Sequence, residues 1–132
     1  MYNFEFNKND KRRCEIIGIP YPESYHMGGI KRYRHLFLDE INALIEEKFI
    51  DPNEAQNCCP CVSEIKDFME KYPMFTAHGY IVSPERDDYR VSIEGVEYIG
   101  EVDQQMMIDF IEKFGDADEV VCDRSRCYCW YD

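Results

Sequence analysis

The chain predicts an α+β fold: an antiparallel sheet of three to four strands, formed by two hairpins separated by a helix, packed against about three helices. Three patterns carry this reading. Two segments in the first half repeat apolar residues at helical spacing. The second half holds two pairs of segments that alternate with a period of two around polar turns. A third helical stripe separates those pairs, so hairpins and helices do not form a regular strand–helix repeat. With 132 residues, of which 45% are hydrophobic, the chain is long enough to bury a core without covalent staples. One domain over 1–132 is expected, with 1–32 as an extended or weakly structured arm and 33–132 as the main body.

Within the arm, 14–19 (Cys-Glu-Ile-Ile-Gly-Ile) has strand-like composition, and Pro20-Tyr21-Pro22 and Gly28-Gly29 mark an extended loop. Lys31, Arg32 and Arg34 read as a solvated basic stretch that partly neutralises the body. The first helix is predicted over 32–49, with Phe37, Ile41, Leu44, Ile45 and Phe49 on one face and Asp51-Pro52-Asn53 as its stop. The second is predicted over 60–72, with Ile65, Phe68, Met69 and Tyr72 buried, Asn57 or Ser63 as cap and Pro73 as terminator.

Strands follow at 74–83 and 89–99, around a turn at 83–88. On the second of these, Tyr89, Val91 and Ile93 share a face, but after Gly95 the phase shifts to Val96 and Tyr98. One extra residue at Gly95 restores a single apolar face, so a β-bulge is expected there. The third helix is predicted over 103–114, with Asp103 as N-cap, Met107, Phe110, Ile111 and Phe114 as its stripe, and Gly115 as its stop. A final hairpin joins 119–122 to 127–131 and sets Cys122 opposite Cys127.

Charge bounds the function. The net charge is −12. Residues 1–34 carry seven basic against four acidic side chains, and 35–132 carry eight against twenty-three. Such a body repels phosphate and anionic lipid, which argues against nucleic acid or membrane as its partner. No apolar run of signal-peptide or membrane-spanning length occurs, so a soluble cytoplasmic protein is expected. From Glu94 to Glu119 there are nine carboxylates and one base. If they gather on one face, the chain fits a small inhibitor- or immunity-like protein, with no catalysis of its own, that binds a basic protein. That comparison rests on size and charge alone. The candidate binding residues are Glu94, Glu97, Asp109, Glu112, Asp116, Asp118, Glu119 and Trp130, with charge speeding encounter and the aromatic anchoring the complex.

The cysteines carry the alternative, a small thiol-dependent enzyme or zinc protein. Seven is an odd number and disfavours a secreted disulfide scaffold. Cys58-Cys59-Pro60-Cys61 sits at a predicted helix start, where backbone N–H groups favour a thiolate. Cys58 and Cys61 with Cys127 and Cys129 would supply four zinc ligands as two close pairs. Cys-x-Cys is not the usual knuckle spacing, and small buried apolar residues are the favoured reading of these cysteines. His26, His35 and His78 are the histidines, and His78 beside Gly79 is placed to line a cleft. No phosphate loop, nucleophile elbow or metalloprotease motif is present.

Overall fold

The computed structural model describes residues 4–21, 25, 28–56 and 58–132. Four helices, α1 (Asp10–Ile17), α2 (Leu38–Glu46), α3 (Val62–Lys71) and α4 (Gln104–Phe114), accompany five strands. The strands are β1 (Ile30–Leu36), β2 (Thr76–Val82), β3 (Val91–Ile99), β4 (Glu119–Asp123) and β5 (Arg126–Trp130). They form one antiparallel sheet in the order β1-β2-β3-β5-β4. The architecture is α+β, with one strand more than the upper bound read from the sequence.

The extra strand is β1, and it corrects the first predicted helix. Arg32 and Arg34 are exposed while Tyr33 is buried, the period-two pattern of a strand, and Tyr33 pairs with Gly79. Two residues, Arg34 and His35, separate Tyr33 from Leu36, whereas their partners Gly79 and Ala77 are separated by one. This bulge has His35 in the left-handed region (φ 60°) and returns Leu36 to the core. Helix α2 starts only after Phe37, which is its N-cap and is 47% exposed rather than part of the buried stripe. Ile41 and Leu44 hold the expected apolar face, and a positive φ at Lys48 ends the helical path before the buried Phe49.

The arm is corrected as well. Residues 10–17 are helical, because the Asn9 side chain accepts from the Arg12 N–H and Gly18 closes the helix in the left-handed conformation. These caps outweigh the strand-like composition of 14–19. Arg13 is fully buried there: it donates to Asp10 and to the Val82 and Arg90 carbonyls, and it also bonds the Tyr25 hydroxyl. Its guanidinium carbon lies 4.2 Å from the Tyr89 ring centre. The segment is therefore docked on the end of the β2–β3 hairpin. Predictions for His26 and Asn57 lie outside the described residues. Cys61, not Ser63, occupies the N-cap of α3.

Buried side chains of all four helices join one alternating set of strand residues, including Ala77, Ile81, Val91, Ile93, Val96, Cys127 and Cys129, in a single core. Phe68 anchors the α3–α4 side, with ring centres 5.0 Å from Phe75 and 5.1 Å from Phe114. Each such ring contributes about 1.5–3 kcal/mol on burial. The other set of strand side chains faces away from this core. No helix among the described residues is long and apolar enough to cross a membrane.

Candidate functional site

On the sheet face turned away from the core lies a groove of about 400 Å³. Its position follows from the predicted bulge. His78 pairs with Gly95 and Gly79 with Ile93, so Glu94 is the extra residue on β3. Residues three apart on a regular strand face opposite ways. The bulge instead lets Glu94 and Glu97 both lie on the outer face of the sheet, under arginines, while Val91, Ile93 and Val96 stay in the core. Gly95 is required at this point: a Cβ would lie 2.0 Å from the Cys129 carbonyl oxygen and 2.7 Å from His78 Nε2.

Strand β5 supplies Arg126, Tyr128 and Trp130 to the groove at alternate positions, and β4 supplies Glu119 and Val121. From β1 come Arg32 and Arg34. The two glutamate side chains at 94 and 97 are each only 5% exposed, and three guanidiniums cover them. Arg32 pairs with Glu94 at 2.7 Å; Arg34 and Arg126 pair with Glu97 at 3.1 and 2.9 Å. Burial alone would raise the Glu97 carboxyl, but the hydrogen bonds from Arg126 and Arg34 outweigh it and hold its pKa below the ordinary value. Arg126 also lies 4.9 Å from the Tyr128 ring centre, and Tyr128 stacks on His78 with centroids 5.3 Å apart and planes 21° off parallel. Burial lowers the His78 pKa to about 4, against the opposing pull of the Cys129 carbonyl and Glu97. The imidazole is therefore neutral near pH 7.

The predicted binding residues divide among several places. Glu94, Glu119 and Trp130 line this groove, whereas Glu97 lines a neighbouring pocket with Thr76 and Tyr98; Glu94 and Glu97 both lie under arginines and present no acidic surface. Asp109 and Glu112 line a second groove of about 420 Å³ between α3 and α4. There Asp109 accepts from Lys71 at 2.7 Å, from Tyr72 and from Gln105, contacts that lower its pKa to about 2. Asp116 and Asp118, after α4, accept from the Tyr131 hydroxyl and the Asp132 N–H. The expectation of one acidic face is corrected to two separate grooves and a hydrogen-bonded turn.

The four candidate zinc ligands are not brought together. Cys58 is exposed and Cys61 caps α3, whereas Cys127 and Cys129 are fully buried in the core. Burial pushes the thiols of Cys127 and Cys129 up to about 12, which disfavours the metal-binding and nucleophilic thiolate. Among the described residues no group of three or more His, Cys, Asp or Glu side chains is placed to hold a metal. Cys122 does face Cys127, with sulfurs 3.9 Å apart. No cysteine lines the groove beside His78.

The sequence reading takes Arg32 and Arg34 as a solvated basic stretch and does not single out Arg126 or Tyr128. The alternation Arg32-Tyr33-Arg34 and the spacing Arg126-x-Tyr128-x-Trp130 carried the signal, since each set falls on one face of a strand. No family model, curated protein or solved structure matches the chain.

Proposed function

We propose that the protein binds another macromolecule, a basic protein, in an inhibitor- or immunity-like manner and has no catalysis of its own. One observation carries the reading: the α3–α4 groove has an excess of carboxylates, and α4, which forms one of its walls, also exposes apolar side chains outside the groove. Glu64, Asp67, Asp109 and Glu112 line it against two bases, Lys71 and Lys113. Those lysines are already engaged by Asp109 and Glu64. Asp67 and Glu112 make no ion pair with the described residues, and Ile108 and Ile111 on α4 are 43% and 46% exposed. Apolar contact supplies lasting affinity, while unpaired carboxylates steer a cationic partner. The net charge of −12 adds a long-range attraction of the same sign. The thiol or zinc alternative has less support, because Cys127 and Cys129 lie in the core.

The test is capture of partners from native lysate at about 0.05 M and about 0.5 M NaCl, across which charge screening shortens several-fold. The expected result is a basic protein retained at low salt, released at high salt, and lost with Asp67→Lys/Glu112→Lys. Retention insensitive to both salt and charge reversal, or capture of no basic protein, rejects the proposal.

A further inference from the structure

The groove on the sheet face has the opposite character, and it carries a second site independent of the first. The two carboxylates beneath its arginines are only 5% exposed, whereas Arg32 and Arg34 are 62% and 63% exposed and Arg126 is 40% exposed. What faces outward is therefore guanidinium, on a molecule that is strongly acidic elsewhere. Within the interactions among described residues, each arginine gives one nitrogen to Glu94 or Glu97. A guanidinium has five N–H donors, so each retains further donors for a bound group.

Among the described residues, three buried side-chain nitrogen or oxygen atoms have no hydrogen-bond partner, and two of them, His78 Nε2 and Arg126 Nε, belong to residues lining this groove. His78 as a whole is only 9% exposed. Both atoms are shielded, and His78 Nε2 lies on the side of Gly95 and the Cys129 carbonyl, so the donors open to a bound group are the outer guanidinium nitrogens. The floor beside them is aromatic and apolar: Tyr128, Trp130 and Val121.

From this we infer that the groove binds a small aromatic carboxylate, its anionic end on Arg34 and Arg126 and its ring on Tyr128 and Trp130. A carboxylate suits the planar donor fork of arginine, and the ring suits the aromatic floor. A volume of about 400 Å³ accommodates one small molecule of this kind. Polyanions such as nucleoside triphosphates are disfavoured by the net charge of −12 and by Glu119 on the groove wall.

Trp130 is the chain's only tryptophan and lies in the groove, so its emission reports occupancy directly. The full chain is titrated with 3-phenylpropionate, with the neutral 3-phenylpropanamide and with inorganic phosphate. Expected is a saturable change with the carboxylate and binding about ten-fold weaker for the amide, as loss of a charge-assisted hydrogen bond implies. Phosphate should neither mimic nor displace the acid. Arg34→Gln leaves Glu97 paired with Arg126, so the fold is retained, and it should weaken the acid by about five-fold or more. Glu119→Gln should tighten it by roughly two-fold by removing a like charge. No saturable change, equal affinity for acid and amide, equivalent binding of phosphate, or a folded Arg34→Gln that binds unchanged overturns the inference.

Discussion

Arg13 and His78 show how burial acts on single side chains. The Arg13 guanidinium is fully buried and lies over Tyr89, so it is a part of the structure and not of a solvated arm. Its cost of leaving water is offset by Asp10 and two backbone carbonyls, each of which loses a charged donor if it is removed. His78 is the titrating counterpart. Its pKa is 6.5 when exposed to water and about 4 in the fold, lowered mainly by burial, with Arg34 and His35 acting in the same direction. Between those values the unfolded chain binds a proton that the folded chain refuses. The stabilising contribution is thus complete above about pH 6.5 and is lost progressively as pH falls towards 4. At pH 5 the loss from this group is about 2 kcal/mol relative to pH 7.5. Urea denaturation at the two pH values should show the wild type losing that much more stability than His78→Phe, which keeps an aromatic ring against Tyr128.

Helix α4 and strand β1 are instructive opposites. The α4 N-cap, its stop and the buried Phe110 and Phe114 are legible locally, because each depends on residues within one or two turns; Ile111, expected in the stripe, is instead exposed, and Met106 is buried. Asp103 accepts from the Met106 N–H at 2.8 Å, and Asp103→Ala should cost about 1 kcal/mol in chemical denaturation. Residues 32–36 of β1 read as helix in the sequence because Phe37, Ile41 and Leu44 fit a 3.6-residue period equally well. Pairing with β2 decided the matter, and that pairing joins residues some forty-five positions apart. The Gly95 bulge was legible for the same reason α4 was: a change of phase within one strand is a local signal. Its effect on Glu94 and Glu97 was not drawn from it, since their partners come from other strands.

Taken whole, the molecule combines a net charge of −12 with an arginine-lined groove and an acidic one. Self-repulsion opposes the compact state, while exposed ion pairs such as Arg12–Glu47 contribute little. Screening should therefore raise stability on balance. Thermal unfolding followed by circular dichroism at about 0.02 M and about 0.5 M NaCl should show the midpoint rising by roughly 3–6 °C, the shift expected for about 1 kcal/mol. The same salt weakens capture of a basic partner, so stability and binding move in opposite directions.

Local order along this chain set α3, β2, β3 with its bulge, α4 and the β4–β5 hairpin, and the total charge followed from composition. Caps, stripes and phase changes act over a few residues, and linear order preserves them. Where the charge resides was decided only by tertiary structure. The Arg32–Glu94 and Arg34–Glu97 pairs span 62 and 63 positions, and β5 rather than β4 lies against β3. Strand order settles which side chains meet across a sheet, and no periodicity within one segment encodes it. That is why two glutamates that read as acidic surface lie buried under arginines on the outer face of the sheet.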